Sequence, residues 1–279
     1  MLGASEAQKE LLLPTAVSGA DILALVPPID GNRVSVDGGR LDGEHEFVID
    51  ALGANKLVVS AFDGSSWGFY IVDSDADGVT VRVQPWRDIT RQVCKVSFKN
   101  VLAEKMPGDV KIMWPKLLDR IACYLAAENV GGMRQVLKDS VEYANERVAF
   151  GRPIGAYQAI KHPLAEMLGK VESASTAVLF SAWALDGDDE RASMAASMAK
   201  AFSCDAYLQA THRNIQIFGA IGFTWEMKNH LYYKRARGNA ELFGTIRSHR
   251  DNVVNMATDK VWSKPFDLDA AAQGANFAA

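Results

Sequence analysis

The chain has 279 residues, 48% of them hydrophobic, and a formal net charge of −4, enough for one large domain or two modest ones with an ample core. This acidic balance excludes a non-specific nucleic-acid binder, whose affinity needs a basic face. Cys94, Cys123 and Cys204 are widely separated, lack CxxC spacing and suit buried thiols in a reducing compartment.

In chain order, the start MLGASEAQKELLLP has no basic stretch, and no segment reaches the ~20 apolar residues of a membrane span. The expectation is a cytoplasmic protein with no membrane association. Short β-type runs at 33–36, 46–49, 57–61, 67–72 and 79–83 are separated by the turn clusters DGN, DGG, FDGSS and DSDADG. That spacing predicts an antiparallel sheet or small barrel over 1–107. From 108 the turn residues thin out and apolar residues recur at helical spacing. Pro115 suits the first turn of a helix, where its missing N–H costs nothing. The pattern Leu118, Ala122, Leu125, Val130 and Met133 then predicts one long helix running toward Ala149.

Gly151, Pro153 and Gly155 end that helix. Further helices are predicted over 157–185, closed by the polar cluster 186–190, and over 191–218. Gly219 and Gly222 make a turn, followed by shorter helices at 228–237 and 241–259. The fold class is therefore α+β, a small antiparallel β-domain followed by an antiparallel four-helix-type bundle over 108–262. The tail, 263–279, rich in Ala, Asn and Gly, is expected to be mobile.

The stretch 143–160, YANERVAFGRPIGAYQAI, carries the clearest chemistry. Singly, Arg147 reads as a surface cation, Phe150 as a core ring and Gln158 as a helix-end amide. Jointly they suit a dinucleotide, with a planar fork of donors for phosphate oxygens, an apolar face and a bridging amide. Asp73, Asp75, Asp77 and Gly78 spell the opening of an EF-hand loop, but the twelfth position is Gln84 and β-type runs flank it, so a hairpin turn is expected. The five histidines form no HxxxH pair and imply no metal site. There is no GxSxG motif and no P-loop. Lys234, Arg235 and Arg237 read as a solvated helix face or as contacts to CoA phosphates or a neighbouring subunit.

The order of β-domain, helical bundle, ERVAFGRPIGAYQ junction, NIQIFGAIGF segment and late FGT resembles the acyl-CoA dehydrogenase family, over Leu13 to about Met256. The resemblance implies a non-covalent FAD lying between subunits of a dimer of dimers. It also implies removal of two hydrogens from the α and β carbons of a CoA thioester. Arg147, Phe150 and Gln158 match positions that hold the pyrophosphate and adenine half of FAD, Gln216 and Gly219 match a second cluster on the same half, and Thr245 belongs to the retained Gly-Thr pair. In the family the first five positions reach a flavin held mainly by the neighbouring subunit.

The chain departs from the family pattern at three places. It starts shortly before its β-domain, so the family's N-terminal helical domain is expected to be missing. Phe47 is followed two positions later by Ile49, where the family carries a Thr or Ser hydroxyl for the flavin edge. The catalytic glutamate position falls on Phe243, which cannot accept a proton, although its backbone N–H remains to polarise the thioester carbonyl. Asp119 with Arg120 imitates an alternative base pair of the family. Aligning on Gly131, however, places that position at Ile121, and a two-residue slip turns a side chain by about 200°. The competing reading of Asp119 is a charge in the first turn after Pro115, favourable at a helix N-terminus.

What is kept and what is lost imply one subunit of a heteromeric enzyme paired with a paralogous full-length subunit, as α2β2, acting on a bulky, steroid-type acyl-CoA with an electron-transferring flavoprotein as acceptor. Loss of the covering domain would give such a substrate room. Two alternatives stay open: a non-catalytic structural or regulatory homologue that binds no flavin, and a self-sufficient homo-oligomer using Asp119 as base.

Overall fold

The computed structural model describes residues 3–28 and 33–257, so the tail 263–279 and the end of the predicted last helix lie outside the described residues. The chain divides into two compact units on either side of Leu117.

The first unit opens with a helix that the β-type reading passed over, α1 (Glu6–Ser18). Its signals are local. The Ser5 hydroxyl accepts from the Gln8 N–H at 3.2 Å while the Gln8 side chain accepts from the Ser5 N–H at 2.9 Å, a reciprocal cap. Gly19 ends the helix in the left-handed region, φ 76, as a C-terminal glycine does.

Among the described residues eight strands form one sheet: β1 (Leu23–Val26), β2 (Ser35–Asp37), β3 (Arg40–Ile49), β4 (Lys56–Phe62), β5 (Trp67–Asp73), β6 (Val79–Gln84), β7 (Val93–Leu102) and β8 (Glu104–Lys105). The order is β6-β7-β3-β2-β4-β5-β8, with β1 alongside β4. The antiparallel expectation needs one correction, because β1 and β2 both pair with β4 in parallel. β1, β7 and β8 lie outside the predicted runs, β7 despite its apolar VCKVSF pattern.

Alternate residues face two cores. Leu57 and Val59 of β4, Tyr70 and Val72 of β5, and Cys94 and Val96 of β7 point into one. Phe69 and Ile71 of β5 point into the other, where they meet Leu12 of α1. Burying a side chain such as Leu12 is worth ~1.5–3 kcal/mol, which explains why α1 folds onto the sheet. The DSDADG segment is not a hairpin turn. It joins β5 to β6 at the opposite edge of the sheet, and Asp73 is held by Lys56 at 2.5 Å.

The long helix α2 spans Val110–Glu146, so it begins one turn before Pro115. Asp109 starts it, its carboxylate accepting from the Lys111 N–H at 2.8 Å. The second unit continues with a two-strand hairpin, β9 (Val148–Ala149) and β10 (Arg152–Pro153), then α3 (Gln158–Asp186), α4 (Ala192–Phe218), α5 (Asn229–Glu241) and α6 (Ile246–Met256). α3 and α4 lie within two residues of the predicted bounds. α4 is the central element, with more than half of its residues buried, including Ala196, Ala199, Ala206 and Tyr207. Val130, Met133 and Val136 of α2, Met167 and Val171 of α3, and Tyr207 and Ala210 of α4 share the bundle core.

Candidate functional site

One end of the bundle gathers the stretch 147–158 and the stretch 216–219. Tyr143, one turn before the end of α2, stacks on Phe218 at the end of α4, with ring centroids 4.1 Å apart and planes 12° from parallel. The Ile154 N–H donates to the Arg147 carbonyl at 2.8 Å, folding the hairpin back on the end of α2, and Ile154 and Ile217 enter the same core. Around this anchor Arg147, Gln158 and Gln216 are all exposed. Gly219 has φ 69 and ψ −146, a combination that requires glycine.

Phe150 is the least expected of the group. It is 97% exposed, not the core ring that its chemistry alone suggests, and it sits with Gly151 in the two-residue turn between β9 and β10. Both turn residues have positive φ, 53 and 79, as a type I′ turn needs. Such a turn favours Asn-Gly, and a non-glycine residue in the left-handed region costs ~1–2 kcal/mol. A strained backbone that lifts an aromatic ring into solvent has no benefit to folding.

The opposite end of the bundle gathers Asp119, Phe243 and Thr245. Ser193 and Ser197 lie one turn apart near the start of α4. The Ser193 hydroxyl donates to the Asp119 carboxylate at 3.0 Å, and Ser197 lies 3.3 Å from Nδ1 of His249, whose Nε2 lies 3.1 Å from the Phe243 carbonyl. Thr245 caps α6, accepting from the Ser248 N–H at 3.1 Å. Asp119 is well inside α2 rather than in its first turn, so the helix-terminus reading of its charge is wrong: the helix starts earlier than Pro115 suggests. Burial pushes the Asp119 carboxyl up, opposed by the Ser193 hydrogen bond and by Arg120. Ile121 is half-buried.

Ser197 and Gln216 are about 28 Å apart along α4 at ~1.5 Å per residue. The two groups of residues therefore lie far apart on one bundle. Sequence reasoning missed Ser193, Ser197 and His249; the one available signal is spacing, since the two serines are four apart and His249 is four beyond Thr245.

In the first unit, Phe47 packs edge-on against Trp86 with centroids 5.3 Å apart, and Ile49 ends β3 with no hydroxyl to offer. The basic run on α5 is not a uniformly solvated face. Arg235 is ion-paired with Glu128, Lys234 lies 4.6 Å over the Trp225 ring, and Arg237 is exposed.

Residues 115–257 match the family model for the acyl-CoA dehydrogenase C-terminal domain. The chain belongs to the acyl-CoA dehydrogenase family. It is 36% identical to acyl-CoA dehydrogenase IpdE2 of Mycolicibacterium smegmatis over 204 residues, which are 72% of this chain and 58% of that protein. It is 32% identical to acyl-CoA dehydrogenase FadE34 of Mycobacterium tuberculosis over 219 residues, 76% of this chain and 30% of that one. The match thus spans less than two thirds of the length of either of these two relatives. Among solved structures, a Tcur3481-Tcur3483 steroid ACAD variant shares the fold with a TM-score of 0.78 and 25% identity, over 91% of this chain and 72% of that one. Butyryl-CoA dehydrogenase from Megasphaera elsdenii has a TM-score of 0.81 at 24% identity, over 91% of this chain and 72% of that one. As in those acyl-CoA dehydrogenases, the architecture is a β-sheet unit followed by a helical bundle. Among the described residues no helix is long and apolar enough to cross a membrane.

Proposed function

We propose that this chain is one subunit of a heteromeric FAD-dependent acyl-CoA dehydrogenase, α2β2 with a paralogous full-length subunit, that desaturates a bulky, steroid-type CoA thioester and passes electrons to an electron-transferring flavoprotein. The carrying observation is the gathering of Arg147, Phe150, Gln158, Gln216 and Gly219 at one end of the bundle, about 28 Å along α4 from the Phe243 turn. These residues fit the adenine and pyrophosphate half of FAD. The three polar side chains are exposed, engage no hydrogen-bond partner among the described residues, and stand beside an aromatic ring raised on a strained turn. Arg147 would hold the pyrophosphate, Phe150 would cover an apolar face, Gln158 and Gln216 would bridge polar groups, and Gly219 would let the backbone approach closely.

Bound there, FAD would supply the hydride acceptor for oxidation at the substrate β carbon. This chain's part at that flavin is to bind and orient. At the opposite end of the bundle the Phe243 turn offers Gly244, Thr245 and backbone N–H groups but no carboxylate, so a substrate there would leave its α proton to a partner's base. The steroid class and the flavoprotein acceptor are supported by the steroid ACAD similarity and by 28% identity to the caffeyl-CoA reductase-Etf complex subunit CarC of Acetobacterium woodii.

The test is co-expression with the paralogous subunit. The complex is expected to be yellow and to oxidise acyl-CoA, and this chain purified alone is expected to be colourless; a complex without flavin leaves the non-catalytic reading. Phe150→Asn separates stability from function. It is expected to stabilise the chain by roughly 0.5–1 kcal/mol through relief of the left-handed strain, measured by chemical denaturation, while lowering flavin occupancy in the complex.

One observation favours a second reading. Asp119 is half-buried, its carboxyl is pushed toward the neutral form, and Ser193 holds it at the same end of the bundle as the Phe243 turn. Under the heteromeric reading Asp119→Asn is expected to leave turnover of the complex unchanged. Loss of roughly 10²–10⁴-fold in a steady-state assay would place the base on this chain.

A further inference from the structure

The Phe243 turn is held from below by groups that the proposed chemistry does not use. Phe243 has φ 53 and Gly244 φ 108, so two successive residues are left-handed, the first an aromatic one. Three contacts fix that shape. Nε2 of His249 meets the Phe243 carbonyl at 3.1 Å; because a carbonyl only accepts, the proton is on Nε2, and Nδ1 is left to accept from the Ser197 hydroxyl at 3.3 Å. The ring also lies flush against Gly244, where an added Cβ would come within 2.8 Å of Nε2. One turn earlier, Lys200, only 1% exposed, donates to the Asn239 carbonyl at 2.5 Å, placing a cation on the last turn of α5.

We infer that His249 is a positioning residue: by bridging Ser197 of α4 to the Phe243 carbonyl it holds the left-handed shape at 243–244 and the direction of the Gly244 N–H, a donor that this turn would present to a thioester carbonyl. This rests on the proposed reading of the turn. The Phe243 carbonyl and the Gly244 N–H share one planar, trans peptide unit, so holding the carbonyl inward fixes the Gly244 N–H outward. A glutamine at 249 carries both a donor and an acceptor and can replace the bridge; an alanine carries neither.

The experiment compares His249→Ala and His249→Gln in the co-expressed complex and, for the turn itself, in the full chain alone. In the complex, His249→Ala is expected to lower kcat by roughly tenfold or more with a smaller change in KM, below the 10²–10³ seen when an oxyanion donor is removed outright, and His249→Gln to restore most of it. In the chain, hydrogen exchange of the amides at 243–248 is expected to quicken in His249→Ala and to stay near wild type in His249→Gln. Equal kcat in His249→Ala and wild type, or unchanged exchange over the turn, overturns the inference. If the wild-type complex oxidises no CoA thioester, the functional reading fails by itself, and the exchange data still decide whether His249 holds the turn. Ser197→Ala, which removes only the outer end of the bridge, provides a milder variant should His249→Ala not fold.

Discussion

Arg147→Ala in the co-expressed complex is expected to weaken flavin retention by roughly ten- to a hundredfold while leaving the melting temperature of this chain unchanged. The first half follows from chemistry. A charge-assisted hydrogen bond from a guanidinium to a phosphate contributes ~1.5–3 kcal/mol, and each 1.4 kcal/mol is about a factor of ten in affinity. The second half follows from placement. Arg147 is exposed at the end of α2, and its side chain has no hydrogen-bond partner among the described residues, so its removal costs the fold nothing. Arg147→Lys keeps the charge but loses the planar fork and is expected to fall between the two. The measurement is the flavin-to-protein ratio after serial dilution, read from absorbance. Retention equal to wild type in Arg147→Ala would mean that this end of the bundle meets no cofactor.

Two adjacent glycines of α2 are expected to respond to the same substitution with opposite signs. Gly132 faces the bundle core, where an added Cβ would lie 2.3 Å from the hydroxyl oxygen of Tyr207 and 2.5 Å from its Cζ. Tyr207 is itself only 1% exposed, so the ring cannot swing clear and the helices must part. Overpacking of this kind costs about 1–3 kcal/mol, which outweighs the ~0.5–1 kcal/mol that alanine gains over glycine in a helix. At Gly131 an added Cβ meets nothing within 4 Å, so only the helix-propensity gain remains. Gly132→Ala is therefore expected to lower the melting temperature and Gly131→Ala to raise it, by roughly 2–4 °C per kcal/mol for a unit of this size. A stabilised Gly132→Ala would show that α2 and α4 are not packed as closely as Tyr207 requires.

How far the residues alone reach depends on the range of the physics involved. α3 and α4 were legible to within two residues because their signals are local: helical spacing of apolar residues, and polar or glycine breaks at 186–190 and 219. The junction motif was legible for the same reason, since Arg147, Phe150 and Gln158 act through residue type at short offsets. α1 carried equally local signals in Ser5, Gln8 and Gly19, yet its leucines come as one run, Leu11 to Leu13, rather than at helical spacing. The start of α2 was misplaced because Pro115 is compatible with either a first turn or a helix interior, and the carboxylate of Asp109, a competing cap, decided the matter.

The amino-acid sequence by itself determined the family, the division into a β-unit and a helical bundle, and the absence of a carboxylate from position 243, because each rests on residue identity and spacing along the chain. Only the tertiary structure decided which residues meet. The stack of Tyr143 on Phe218 joins positions 75 residues apart in sequence, and the contact of Ser193 with Asp119 joins positions 74 apart. The bridge from Ser197 through His249 to Phe243 likewise depends on α4 and α6 packing side by side. Such contacts are fixed by burial of apolar faces across the bundle, a cooperative property of the packed helices that no single segment encodes.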